Sequence, residues 1–124
     1  MKFGYAILYV DDVEATIAFY EKAFGQTREM VAGGEYGELK TGSTKLAFAA
    51  RKVAPINVQP AGPKADPSAA EVAFTTDNVQ DAFDKAVAAG AKPVSNPAKK
   101  PWGQIVSYVR DNNGFLVEIC TPME

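Results

Sequence analysis

Hydrophobic and polar positions along this chain repeat with two periods, and the changes of period mark out its elements. Residues 5–10, YAILYV, form a short apolar run suited to a strand. From Val13 the spacing lengthens: Val13, Ile17, Tyr20 and Phe24 recur at helical intervals and give one apolar face. Asp11 and Glu14 have the D-x-x-E spacing of a capping box, in which each side chain satisfies an orphan amide at the helix start, and Gly25 is a natural stop. Residues 71–90, EVAFTTDNVQDAFDKAVAAG, repeat the order, with Asp77 and Gln80 as the box, Val79, Phe83, Ala86 and Val87 as the face, and Gly90 at the end. Residues 101–119, PWGQIVSYVRDNNGFLVEI, read as two strands joined by a turn at Asp111 to Gly114, since Asn and Gly tolerate left-handed backbone. The second of these strands, Phe115 to Cys120, is apolar at every position except Glu118. A strand apolar on both faces is covered on both faces. A carboxylate in its middle must therefore be paired, protonated, bound to a metal or open to a water-filled cavity.

The two strand–helix units are related by an offset of 66 residues, which matches Asp11 with Asp77, Val13 with Val79 and Ala23 with Ala89. The same offset sets EYGEL (35–39) against PWGQI (101–105), and so Tyr36 against Trp102 and Gly37 against Gly103. With a five-residue slip in the hairpins, KLAF (45–48) falls on LVEI (116–119), and Ala47 on Glu118. Each half then reads strand, helix and three strands: an α+β chain of two βαβββ modules, 1–53 and 71–124. Residues 54–70, rich in Pro, Gly and Ala and without periodicity, are expected to be a flexible or extended connector within one domain. Alternation along the first strands separates Ala6, Leu8, Val10, Val72, Phe74 and Thr76, suited to packing on helices, from Tyr5, Ile7, Tyr9, Glu71, Ala73 and Thr75, suited to a cavity wall.

Composition narrows the chemistry mainly by exclusion. At 124 residues the chain fits one compact domain, and 47% hydrophobic with 23% charged residues is ordinary for a soluble globular protein. The net charge is -2, and the densest positive cluster, AKK at 98–100, is too short to neutralise a run of phosphates, which disfavours nucleic acid as a partner. Apolar stretches fall well short of the ~18 residues of a membrane span. Asp11 and Asp12 cut short the signal-like MKFGYAILYV, so the expected address is the cytoplasm. The single Cys120 fits a reducing compartment. Most restrictive is the absence of histidine, which removes Ser-His-Asp and Cys-His catalysis, His-ligated zinc and the two-His-one-carboxylate iron site. Any metal would have to be held by oxygen ligands, as Mg, Mn or Ca are.

YAILYVDDVEATIAFYEKAFG, followed later by PWGQIVSYVRDNNGFLVEI, resembles the vicinal oxygen chelate superfamily, which includes glyoxalase I, extradiol dioxygenases, fosfomycin resistance proteins and bleomycin resistance proteins. The resemblance covers essentially the whole chain. It implies an open barrel-like mixed sheet with helices outside, a concave surface that holds a small-molecule ligand, and a homodimer. Metal-dependent members place ligands near the start of the first strand and the end of the last strand of each half. Carried over, those positions are Tyr5, Ala47, Glu71 and Glu118, where the glyoxalase-like pattern wants His or Gln, Glu, His or Gln, and Glu. Only Glu118 matches, and Ala47 ligates nothing. The departure agrees with the metal-free branch typified by bleomycin resistance proteins.

The expectation is thus a binding protein with no metal or cofactor, of the glyoxalase/bleomycin-resistance type, sequestering a drug or toxin (as in antibiotic resistance) in an aromatic-lined cleft. Tyr5 and Trp102 would stack on the ligand, and Glu71 and Glu118 would meet its cationic or donor groups. The alternative is a metal-dependent lyase or dioxygenase-like oxidoreductase with Mg or Mn on Glu71 and Glu118; a non-catalytic accessory module is a third reading. Cys120 reads as a small buried hydrophobe, with nothing positive near it in sequence to activate the thiol.

Overall fold

A computed structural model describes residues 1–55 and 70–123. The chain divides into two compact units, Met1–Ala61 and Gly62–Glu124. In the first, β1 (Tyr5–Val10) leads into α1 (Val13–Phe24), followed by β2 (Arg28–Ala32), β3 (Tyr36–Leu39), β4 (Lys45–Ala50) and a single 3-10 turn over Arg51–Val53. The sheet runs β1-β4-β3-β2, with β1 parallel to β4 and the other pairs antiparallel. A parallel pair needs a crossover connection, and α1 begins it. The apolar side of α1 lies over the sheet: Val13, Ile17 and Tyr20 are buried with Leu39 and Phe48, and the rings of Tyr20 and Phe48 stand 4.8 Å apart. Gly37 lets β3 approach the helix, because a Cβ there would lie 3.1 Å from Val13 Cγ1 and 3.2 Å from Ile17 Cγ1.

The second unit repeats this order with β5 (Val72–Thr75), α2 (Val79–Ala88), β6 (Lys92–Lys99), β7 (Ile105–Arg110) and β8 (Leu116–Cys120), in a sheet ordered β5-β8-β7-β6. Val79, Phe83 and Ala86 of α2 are buried, as are Val109, Val117 and Ile119 of the sheet. The turn between β7 and β8 is built by Asp111, whose Oδ1 accepts from the amides of Asn113 (2.8 Å) and Phe115 (2.9 Å), while Gly114 takes a φ of 93°. The fold is therefore α+β, two βαβββ modules with mixed four-stranded sheets, neither closed on itself. β6 forms one edge of its sheet, is exposed along nearly all its length, and carries Pro93 and Pro97 between Lys92 and Lys99. Among the described residues no helix is long and apolar enough to cross a membrane. The connector expected over 54–70 lies outside the described residues apart from Ala54, Pro55 and Ala70.

Three details differ from the sequence reading. Both helix caps sit one residue later than the D-x-x-E spacing suggests. Asp12 Oδ1 accepts from Ala15 N at 2.9 Å, and Asn78 Oδ1 accepts from Asp81 N at 3.3 Å. Asp11, released from capping, accepts from Arg51 Nε instead, at 2.6 Å. Each helix is preceded by two adjacent capping residues, and the extended backbone at Asp12 selects the second (φ -131°, ψ 102°).

The repeat holds, but its alignment shifts within the hairpins. Three residues separate the paired Ala32 and Tyr36, whereas seven separate the paired Ala98 and Val106, so the β6–β7 turn is four residues longer. Eight residues separate Glu38 from Ala47 and nine separate Tyr108 from Glu118, which accounts for one more. Strand pairing thus equates Tyr36 with Val106, Gly37 with Ser107 and Glu38 with Tyr108, in place of Trp102, Gly103 and Gln104. Gly103, with a φ of 98° and open space around it, serves the turn rather than helix packing. The match of Ala47 with Glu118 stands: Ile7 pairs with Ala47 as Ala73 pairs with Glu118.

Candidate functional site

In the second sheet the register sets Ala73, Glu118 and Tyr108 in one row across β5, β8 and β7. Residues two apart on a strand share a face, so Glu71, Cys120 and Val106 stand on the same side. The opposite side carries Val117, Ile119, Ser107 and Val109, all buried; Ser107 Oγ donates to the Ile119 carbonyl at 2.8 Å. Alternation along β8 thus gives one face to the core and the other to Glu118.

Glu118 is paired. Its carboxyl neighbours that of Glu71, and two carboxyls can hydrogen bond to each other only when one of them carries a proton. Partial burial raises the pKa of Glu71 above its ordinary 4.5, and the hydrogen bond and negative charge of Glu118 add to the rise. The Tyr108 phenol is also raised, by burial first and then by the charges of Glu118 and Glu71. Cys120, almost fully buried, has its thiol raised by that burial and by the charge of Glu118; the Gln104 side chain acts weakly the other way. The arrangement is a pair of neighbouring carboxyls, one of them with a raised pKa, and a phenol O–H beside them. It can donate and accept hydrogen bonds at once, and it can take up a cation by releasing its proton.

The first module keeps the geometry of this row and redistributes its chemistry. Ile7, Ala47 and Glu38 occupy the positions of Ala73, Glu118 and Tyr108. The carboxylate has moved from the last strand to its neighbour, where Glu38 Oε2 accepts from Tyr36 Oη at 2.8 Å. The Tyr36 phenol is pushed up to about 12 by burial and by Glu38, with a smaller contribution from Tyr5. Tyr5 itself is exposed at the start of β1, paired in register with Lys45. Glu38 escaped the sequence reading because the uniform offset matched it with Gln104; the signal that could have found it is the Tyr36-x-Glu38 spacing, two apart on one strand.

Trp102 lies in the β6–β7 turn, 65% exposed. It lines an open groove of about 610 Å³ together with Asp77, Gln104, Thr121 and Met123, and neither Glu71 nor Glu118 takes part. Glu71 precedes β5 and Asp77 follows it, while on β8 Glu118 stands three residues, roughly 10 Å of extended chain, before Thr121 of the groove, with Cys120 between them. Of the four residues expected to share one cleft, the structure brings Glu71 and Glu118 together. Trp102 lines the groove that begins beyond Cys120, and Tyr5 belongs to the other unit.

The family positions invite a test for a divalent cation, and the residues present do not fit one. Among the described residues no cluster of three or more His, Cys, Asp or Glu could hold a metal ion. Ala47 offers no donor atom, so at the family positions only the carboxyls of Glu71 and Glu118 meet. Divalent ions of the oxygen-binding kind take six or more oxygen ligands, so two carboxyls alone would leave most of the shell to water.

Comparison with known proteins agrees with this fold. Residues 2–119 match the family model described as the Glyoxalase/Bleomycin resistance protein/Dioxygenase superfamily. The virulence protein STM3117 of Salmonella typhimurium is 27% identical over 95% of this chain and 82% of its own. Among solved structures, a glyoxalase-related enzyme from Fulvimarina pelagi superposes with a TM-score of 0.83 at 21% identity, covering 98% of this chain and 88% of its own. TioX from Micromonospora sp. ML1 does so with a TM-score of 0.73 at 24% identity, covering 99% and 100%. At these identities the structural likenesses speak for the fold alone.

Proposed function

The chain belongs to the Glyoxalase/Bleomycin resistance protein/Dioxygenase superfamily, and from that premise we propose that it binds and sequesters a small cationic molecule, a drug or toxin, on the sheet face of Glu71 and Glu118 without a resident metal. The observation that supports this reading is the pair of neighbouring carboxyls on a sheet face that also carries Tyr108 and Cys120. With its proton in place the pair holds one negative charge and offers both a donor and an acceptor. An arriving ammonium or guanidinium group favours ionisation of both carboxyls, so binding expels the proton and gains a charge-assisted contact with each. Tyr108, whose phenol stays protonated at neutral pH, supplies a donor beside them. The working form is a homodimer, testable by light scattering on the eluting peak.

The test is calorimetric titration with a panel of cationic drugs in two buffers of different ionisation enthalpy. Binding should release protons in acidic buffer, where the raised pKa keeps Glu71 protonated, and Glu118→Gln should weaken it by about tenfold or more. Binding with no proton release, or with full affinity in Glu118→Gln, would overturn the reading. So would stoichiometric Mg or Mn in the purified protein that disappears in Glu118→Ala, the result a metal-dependent lyase or dioxygenase-like enzyme requires.

A further inference from the structure

The sheet face of Glu71 and Glu118 carries cations as well as carboxyls, and strand register keeps the two signs apart. Extending the β5–β8 pairing by one residue from Val72 and Val117 sets Glu71 beside Leu116. Leu116 pairs in turn with Arg110, and Arg110 with Lys92. Residues directly paired across strands share a face, so one row of the sheet reads Glu71, Leu116, Arg110, Lys92. The next row on the same face holds Ala73, Glu118 and Tyr108. Acid therefore stands on the β5 and β8 side and base on the β7 and β6 side, with the half-buried Leu116 as an apolar floor between them.

The two signs do not cancel. Among the described residues no ion pair joins Arg110 or Lys92 to either carboxyl, and no cation counters the rise in the pKa of Glu71. Distance accounts for this. Strands lie ~4.8 Å apart and two residues along a strand span ~6.7 Å, so the backbone positions of Glu118 and Arg110 are about 8 Å apart on the diagonal. Arg110 Nη1 is also drawn toward the β7–β8 turn, where it donates to the Gly114 carbonyl at 2.8 Å. A guanidinium has five donors in a planar fork, enough to hold a carbonyl and a carboxylate together. Lys92 opposite Arg110 is a repulsive pairing of like charges, as Glu71 beside Glu118 is. The face thus holds one like-charge pair of each sign, and each is relieved by a counter-charge laid over it.

We propose that this face takes a zwitterion of the amino-acid class, with its ammonium on Glu71 and Glu118, its carboxylate on Arg110 and Lys92, and its carbon skeleton over Leu116. The inference rests on the carboxyl-pair reading and narrows it, from a cation of any kind to one that also carries an anionic group. A charge-assisted contact of about 2.8 Å at each end leaves only a few ångströms between the ligand's own charges, which is the spacing in an α-amino acid.

The probes are L-leucine, its cationic amide L-leucinamide and the anion N-acetyl-L-leucine, titrated at about pH 6, where the amine of leucinamide is charged, and followed by backbone amide chemical shifts. Leucine should bind at least several-fold more tightly than leucinamide, and N-acetyl-leucine more weakly than either. Arg110→Gln should lower the affinity for leucine by about tenfold and abolish its advantage over leucinamide, with Arg110→Lys in between. Lys92→Gln should lower it by about threefold, as expected for an exposed ion pair. Because Arg110 also holds the turn, the ligand comparison on the unaltered protein and Lys92→Gln serve where Arg110→Gln fails to fold. Leucinamide binding as tightly as leucine, or leucine indifferent to both Arg110→Gln and Lys92→Gln, would overturn the zwitterion and leave the carboxyl-pair reading intact. So would failure of leucine and leucinamide alike to bind while cationic drugs still do. N-acetyl-leucine binding as tightly as leucine, or full affinity of both amines for Glu118→Gln, would overturn the two readings together.

Discussion

At the scale of single residues, the carboxyl pair makes stability depend on pH in an unusual direction for an acidic residue. The folded-state pKa of Glu71 lies above its ordinary 4.5, so the folded chain holds this proton more tightly than the unfolded one. The stabilisation is complete below about pH 4.5 and is lost as the pH rises through the folded-state value. Glu71→Gln, a permanent stand-in for the protonated form, should melt with wild type near pH 4.5 and above it at pH 7 to 8; a gap independent of pH would refute the shared proton. Cys120 makes a second residue-scale case, since burial and the charge of Glu118 hold its thiol in the neutral form. Its reaction with a disulfide reagent at pH 8 should be slow in the native protein and fast in urea. Glu71 and Glu118 were legible in the sequence because each stood out as the charged residue of a strand. Glu38 was not, because the uniform offset matched it with Gln104 and hid the Tyr36-x-Glu38 pair, whose hydrogen bond lies within β3.

At the scale of elements, strands and helices follow from periodicity, whereas loop length and capping do not. Two adjacent acceptors before each helix are chemically equivalent on paper, and a single pair of backbone angles chooses between them. The length of the β6–β7 turn was hidden for a related reason: a Gly preceded by an aromatic occurs in both halves, in β3 as Tyr36-Gly37 and in the turn as Trp102-Gly103. The two glycines answer to different forces, and this can be measured. Gly37→Ala drives a methyl against Val13 and Ile17 and should cost about 1–3 kcal/mol by urea denaturation. Gly103→Ala meets no neighbour and should cost only the left-handed backbone term, about 1 kcal/mol. Equal losses would mean that the uniform alignment was right after all.

For the whole molecule, the order of elements and the family were legible throughout, because a duplicated βαβββ pattern is long enough to outweigh loose local motifs. The division of aromatic and acidic residues between sheet face and groove was not, since it depends on which end of β5 each residue occupies. A chain with a net charge of -2 and an isoelectric point near 5.2 should be least soluble around that pH, as measured by precipitation with polyethylene glycol. Strand β6 bears on how this chain behaves in company. An open sheet edge is a template on which another chain can add a strand, by design in assembly or by accident in aggregation. Pro93 and Pro97 lack the amide hydrogen that such a strand would need, and Lys92 and Lys99 place like charges at both ends of the rim. Sheet extension from the second module is therefore blocked on that side, and any partner that continues its sheet must join at β5.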